Sequence, residues 1–349
     1  MNKVNGKPAR AAKTNQLGNE IGLYRGAKST LCAGCGHNAI SERITQAFFE
    51  MNIDPYNVLK LSGIGCSSKS PAYFLSASHG FNAVHGRMPS IATGSLLANR
   101  GMLGIGVSGD GDTGSIGAGQ FIHLMRRNLP FIYIVENNGV YGLTKGQFSA
   151  TADVDSLLKT GQKNMYTPID LCTLAIELGA SFVARSFSGD KKQLSDVLRA
   201  AIAHNGTALI DVISPCVTFN DHQGSTKSYS YVQEKDEHFG EISFVPYFED
   251  IEIDYEPGTT HNVEMHDGSH VLLSKLPEDY SPAGRCDAMQ MLIRSRNKGE
   301  LLTGIFYLNP KAETMYDMID LADQPLAQLS QQQLRPGKAA LDEVMQELM

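Results

Sequence analysis

"LGIGVSGDGDTGSIGAGQFIHLMRRNLPFIYIVENN", residues 103–138, decides the fold. Two apolar, β-rich runs, 103–108 and 131–135, flank a glycine-rich turn and a segment with helical spacing, "GQFIHLMRRN". Strand, turn, helix and strand in that order form a βαβ unit. Further runs at 57–64, 82–85, 181–187 and 208–213, mostly separated by helix-like segments, repeat the alternation. The pattern predicts an α/β fold built on a doubly wound, mostly parallel sheet. In such a sheet ligands bind beyond the carboxyl ends of the strands. The residues that follow each run therefore matter most: Cys66-Ser67-Ser68-Lys69, His85-Gly86-Arg87, Gly109-Asp110-Gly111-Asp112, Glu136-Asn137-Asn138 and Pro215-Cys216.

The bulk numbers set the outer limits. A chain of 349 residues with 42% hydrophobic and 19% charged residues is globular and long enough to bury a sizeable core. A net charge of -7 argues against general nucleic-acid binding, which needs clustered positive charge. No run approaches the length of a membrane span, and residues 1–20 lack the apolar centre of a signal peptide. A cytoplasmic chain is expected, and its six cysteines are expected to be ligands or buried thiols rather than a disulfide framework.

An Asp at one strand end and an Asn at the next can both offer oxygen to a small hard cation. Gly114 and Gly117 allow an anion close to the start of the following helix, where free N–H groups favour it. The layout suits a metal-bound diphosphate. A second constellation is made of thiols. Cys32 and Cys35 form a CxxC in "LCAGCGHNAI", and Cys66 and Cys216 follow two of the apolar runs. Four thiolates suit either a 4Fe–4S cluster or a structural zinc, and spacing does not choose between them. A thioredoxin-like redox pair would not need the two further thiols. Cys172 and Cys286 read as buried structural thiols, Cys172 on a helix face with Ile169 and Ile176; His261, His266 and His270 read as surface or packing residues.

Helix punctuation is clear in two places. Thr167 is expected as N-cap, Pro168 as the first helical residue and Gly179 as the stop of one helix; Asp190 and Gln193 are spaced as a capping box for a second, with Leu194, Val197, Leu198 and Ala201 on one face. After Pro215 the chain becomes irregular and polar, with a hairpin expected at Asp267-Gly268 and a last helix near 338–348. Residues 1–20 are polar and basic and read as a mobile arm.

The GDG at 109 and the NN at 137 resemble the thiamine diphosphate fingerprint. The resemblance implies Mg²⁺ ligation by Asp110, Asn138 and the carbonyl of Val140, with Gly109, Gly111, Asp112, Leu143 and Thr144 lining the diphosphate. Together "CAGCGH", "GIGCSSK", "HGR", "SGDGD", "ENNGVYGLTKGQ" and "PCVTFND" resemble the β subunit of the 2-oxoacid:ferredoxin oxidoreductases, particularly the two-subunit 2-oxoglutarate type, over about residues 25–280. The resemblance implies a sheet of the thiamine diphosphate-binding type over 25–216, preceded by an arm, 1–24, and followed by a C-terminal arm or subdomain, 217–349. Beside a thiamine enzyme's carbanion, the thiol set becomes one electron-relaying 4Fe–4S cluster on Cys32, Cys35, Cys66 and Cys216. Gly65, Ser67 and His85 complete the cofactor-side set, and Lys69 is the candidate for the distal carboxylate of the substrate; Arg87 is assigned to diphosphate or partner contacts.

The implied reaction is oxidative decarboxylation of 2-oxoglutarate, with coenzyme A taking the acyl group and ferredoxin the electrons; reversed, it fixes CO₂. The second reading keeps the chemistry and changes the substrate to pyruvate or a broad 2-oxoacid range. A reading of another class is a zinc-stabilised binding module. Only one diphosphate motif is present, so an α subunit carrying the pyrimidine-binding module and the activating Glu is implied, most simply in an (αβ)₂ assembly.

Overall fold

A computed structural model describes residues 14–142, 144–219, 225, 249–265, 270–335 and 337–348. Its strands are β1 (Val58–Ser62), β2 (His79–Asn82), β3 (Leu103–Gly109), β4 (Phe131–Asn137), the short ribbon β5 (Val140–Tyr141) and β6 (Gln147–Phe148), β7 (Phe182–Phe187), β8 (Thr207–Ile213), β9 (Thr260–Glu264), β10 (His270–Lys275) and β11 (Leu301–Leu308). Nine of them form one sheet in the order β2-β1-β3-β4-β8-β7-β11-β10-β9. From β2 to β7 every pairing is parallel. Strand order reverses at β1, whose successor β2 lies on one side and β3 on the other. A crevice therefore opens at the carboxyl ends of β1 and β3.

Each central strand is buried on both faces and divides its side chains between two layers. Phe131, Tyr133 and Val135 of β4 pack with α2 (Met88–Ala98), α3 (Ala118–Arg127) and α4 (Leu171–Leu178). Ile132 and Ile134 face α1 (Gly36–Glu50) and α5 (Lys191–Ala203). This two-sided burial is why the strands read as continuous apolar runs.

The structure adjusts several expectations. β2 ends at Asn82 rather than covering 82–85, because the chain turns at Gly86, whose φ is +68°. The helix expected to start at Pro168 starts at Leu171, with Asp170 as N-cap accepting from Thr173 N at 2.9 Å. Ile169 is held outside it by a bond from its N–H to Ala150 O, so it does not share the helix face with Cys172. Gly179 closes that helix at φ +93° as expected.

Asp190 caps α5, but the Gln193 side chain turns to Ser186 and Thr303, leaving half a capping box. Of the expected arm, the part described is pinned: Asn15 Nδ2 donates to Tyr24 OH and Gln16 N to Asn52 Oδ1. The chain after 217 returns to the sheet. β11 pairs antiparallel with β7, and β9 and β10 form the expected antiparallel hairpin, whose turn residues Asp267 and Gly268 lie outside the described residues. A last helix spans Lys338–Glu347.

Candidate functional site

Asp110 lies at the end of β3 with its carboxylate buried. Its Oδ1 accepts from Asn138 N at 3.3 Å; its Oδ2 accepts from Gly139 N at 3.1 Å, Thr151 Oγ1 at 2.6 Å and Ser149 Oγ. Asn138 in turn accepts from Val140 N through Oδ1 at 3.1 Å. The three residues expected to hold Mg²⁺ thus share one hydrogen-bonded turn linking β3 and β4, and the carboxylate and amide oxygens are the hard donors such an ion takes. They fit it. Thr151 also bonds Asn137 Oδ1, and Asn137 Nδ2 donates to Asp211, which pairs with the buried guanidinium of Arg185. A buried polar chain therefore runs from Arg185 to Asp110.

Asp112 has a different task. Its Oδ1 accepts from Gly86 N at 2.6 Å and its Oδ2 from Ile64 N at 3.2 Å and Ser108 Oγ at 2.9 Å, so it ties the ends of β1, β2 and β3 together. A π-helical turn, Asp112–Ile116, opens the chain before α3, with Gly117 N bonding Asp112 O. A Cβ on Gly117 would stand 3.0 Å from Gly86 Cα and 2.7 Å from Asp112 O, so this crossing requires glycine. Tyr141 OH donates to the carbonyl of Gly111. Thr144 is exposed and bonds Gln147, while Leu143 lies outside the described residues. His85 is exposed at the crevice mouth beside buried Gly86, and Arg87 is exposed just before α2.

The thiols approach the same edge from three segments. Cys35 is the N-cap of α1, Cys66 opens the 3₁₀ turn Cys66–Ala72 after β1, and Cys216 follows β8. Burial pushes the Cys35 thiol well above the ordinary thiol range, with Glu136, Cys216 and Cys66 adding to it. Burial also raises Cys66, reinforced by Cys216 and Cys32 and opposed by the Lys69 ammonium. Cys66 is thus in electrostatic reach of each of the other three thiols. Thiolates are the donors an iron–sulfur cluster takes, so the donor set fits one. All six cysteines are free, and among the described residues no group of three or more His, Cys, Asp or Glu side chains is arranged so that it could hold a metal ion.

The thiol set and the diphosphate edge touch. A Cβ on Gly142 would stand 3.1 Å from Cys66 Sγ, and one on Gly109 3.2 Å from Ser67 Oγ. Gly65, at φ +86°, makes the turn into Cys66.

Four further residues belong to this edge: Glu136, His37, Ser70 and Ser214, all buried. Burial raises the Glu136 carboxyl to about 8 and lowers His37 to about 4. The signal for Glu136 is an acid at the end of an apolar strand run; for His37, it is the residue two places after the CxxC. Cys172 is buried as expected, donating to Ala184 O. Cys286 is exposed, contrary to expectation, because it opens the helix Arg285–Asn297 on its solvent side. His261 stacks on Tyr255 at 5.5 Å, and His266 lies outside the described residues.

Residues 63–212, which include both the GDG and the NN turns, match the family described as thiamine pyrophosphate enzyme, C-terminal TPP binding domain. The 2-oxoglutarate synthase subunit KorB of Methanocaldococcus jannaschii is 36% identical over 189 residues, 54% of this chain and 69% of that one. The 2-oxoacid:ferredoxin oxidoreductase subunit beta of a Sulfolobus species is 43% identical over 197 residues. The chain belongs to the family of 2-oxoacid:ferredoxin oxidoreductase β subunits.

Within that β-subunit family the shared length is limited: the match spans 54% of this chain and 63% of the Sulfolobus one. The fold extends further. A chain of the 2-oxoglutarate:ferredoxin oxidoreductase from Magnetococcus marinus, solved with 2-oxoglutarate, coenzyme A and succinyl-CoA bound, superposes with a TM-score of 0.70 at 26% identity, covering 89% of this β-subunit chain and 92% of that one. Among the described residues no helix is long and apolar enough to cross a membrane.

Proposed function

We propose that this chain is the cofactor-bearing β subunit of an enzyme that oxidatively decarboxylates 2-oxoglutarate, transfers the acyl group to coenzyme A and passes two electrons singly to ferredoxin. The observation that carries the reading is the meeting of two donor sets at one sheet edge: the Asp110–Asn138 turn and the thiols of Cys32, Cys35, Cys66 and Cys216. The names of the relatives from Methanocaldococcus jannaschii and Mycobacterium tuberculosis, both carrying 2-oxoglutarate, and of the Magnetococcus marinus enzyme support the substrate class.

Thiamine diphosphate, when bound, supplies carbanion stabilisation at the keto carbon. The chain's own residues place it. Asp110, Asn138 and the Val140 carbonyl would hold Mg²⁺, and Gly109, Gly111, Asp112 and Thr144 would border the diphosphate. Cys32, Cys35, Cys66 and Cys216 would hold the cluster, which would supply an electron relay. Gly65 and Ser67 shape the turn between the two sets, and His85 donates a hydrogen bond near the diphosphate or substrate. Lys69, half-buried and in electrostatic reach of Cys66, pairs with the distal carboxylate of the substrate.

The pyrimidine end needs an α subunit, in an (αβ)₂ assembly. The exposed side chains of Phe81, Val84 and Ile116 beside the crevice offer that partner an apolar border.

An anaerobic visible spectrum with iron, sulfide and zinc analysis tests the core of the reading. Broad absorbance near 400 nm, bleached by dithionite, with about four irons per chain is expected. Stoichiometric zinc without iron would replace the oxidoreductase by a zinc-stabilised binding module. With the α subunit added, Lys69→Ile should weaken use of 2-oxoglutarate selectively; equal loss on pyruvate would reassign the substrate range.

A further inference from the structure

The cysteine-bearing segments are far apart in sequence, yet one buried carboxyl meets the Cys66 and Cys35 segments directly and reaches the Cys216 segment through His37. Ser70 Oγ donates to Glu136 Oε1 at 2.9 Å and Oε2 at 3.0 Å, and the hydroxyl of Ser67, next to Cys66, is near enough to favour the charged form of this carboxyl. His37, two residues after Cys35, brings its Nε2 to 3.6 Å from Glu136 Oε2. The other ring nitrogen, Nδ1, is 2.7 Å from the hydroxyl of Ser214, two residues before Cys216. A Cβ on Gly36 would stand 2.3 Å from Ser188 Oγ and 2.6 Å from Ser214 Oγ, so the start of α1 is seated directly on the end of β8. Ser67, Ser70, Glu136, His37 and Ser214 are all buried to 2% exposure or less. In the folded chain these groups are shielded from bulk water, so the connection is made by the side chains themselves.

We infer that Glu136 is a positioning residue: through Ser67, Ser70 and His37 it holds the Cys66, Cys35 and Cys216 segments in place for one four-thiolate set. The role is that of an outer partner that orients ligands without binding the metal itself. Glu136 also stands two residues before Asn138 on β4, so the placement of the thiol set is referred to the strand end that carries the diphosphate turn. The inference rests on the four-thiolate reading above.

The test uses the full chain, reconstituted anaerobically with iron and sulfide. It reads iron content, the electron paramagnetic resonance spectrum of the reduced cluster, its midpoint potential and the rate of iron loss to a chelator. Glu136→Gln, which keeps acceptors for the serines, should load and resemble the wild type. Glu136→Ala, with unchanged circular dichroism, should lose iron about tenfold faster and show an altered spectrum and potential. If Glu136→Ala does not fold, the paired Ser67→Ala, Ser70→Ala variant carries the same expectation.

A fully loaded, spectroscopically unchanged Glu136→Ala, or an unchanged serine pair in its place, overturns the positioning role and leaves the cluster reading intact. A wild-type chain that takes up no iron overturns both.

Discussion

The amide of Gly86 donates to Oδ1 of Asp112 across 2.6 Å, binding the turn after β2 to the turn after β3 with β1 between them. The same carboxylate accepts from Ile64 N and Ser108 Oγ. Asp112→Ala leaves buried donors without an acceptor, and the expected cost is about 3 kcal/mol of unfolding free energy in urea. A loss under about 1 kcal/mol would mean that these three turns hold their places without Asp112.

Thr151→Val keeps the side-chain shape and removes the hydroxyl that bonds both Asp110 and Asn137. Asp110 then loses an orienting partner while the fold is retained. Magnesium-dependent binding of thiamine diphosphate to the assembled enzyme, followed by calorimetry, should weaken about tenfold. Equal affinities would show that the backbone amides and Ser149 suffice.

Lys60 on β1 donates from Nζ to the carbonyls of Phe74 and Leu75. Burial lowers its pKa from the ordinary 10.5 to about 8. Between these values the unfolded chain holds a proton that the folded chain has released, so the stability linked to Lys60 rises with pH across that window. Urea midpoints of the wild type relative to Lys60→Met should therefore climb from about pH 8 to 10.5. A flat difference would mean that burial does not disfavour the charged amine.

Val84 is 69% exposed and Phe81 53%, at the open edge of the sheet beside the crevice. Val84→Asp should leave the melting temperature of the isolated chain unchanged and weaken its association with the α subunit about tenfold, measured by calorimetric titration. Unchanged association would move the partner to another face.

The central sheet was legible because burial on both faces leaves predominantly apolar runs in β3, β4, β7 and β8, interrupted in β7 and β8 by the paired Arg185 and Asp211. β2 was placed three residues late because its sequence, His-Gly-Phe-Asn, is wholly exposed and carries no apolar run; its pairing with β1 alone defines it. β11 was missed because its mixed burial breaks the apolar pattern, although it pairs against β7 and packs Phe306 into the core. The start of α4 turned on a distant residue: Asp170 caps the helix and also pairs with Arg185, which local spacing does not show.

At the site, Asp110 and Asn138 were readable from the spacing of two strand ends. Glu136 was readable only as a polar strand end, and Thr151 and Ser149 not at all, because what distinguishes them is whom they meet across the fold.

The exposed position of Cys286 gives the molecule a built-in counter. Cys32 and Cys286 are the two exposed thiols, Cys66 and Cys216 are half-buried, and Cys172 is sealed in the core. Once Cys32 is occupied as a ligand, Cys286 remains as the single open point of attachment for a maleimide dye. Dye per chain then reports occupancy of the thiol set without any reference to colour or turnover.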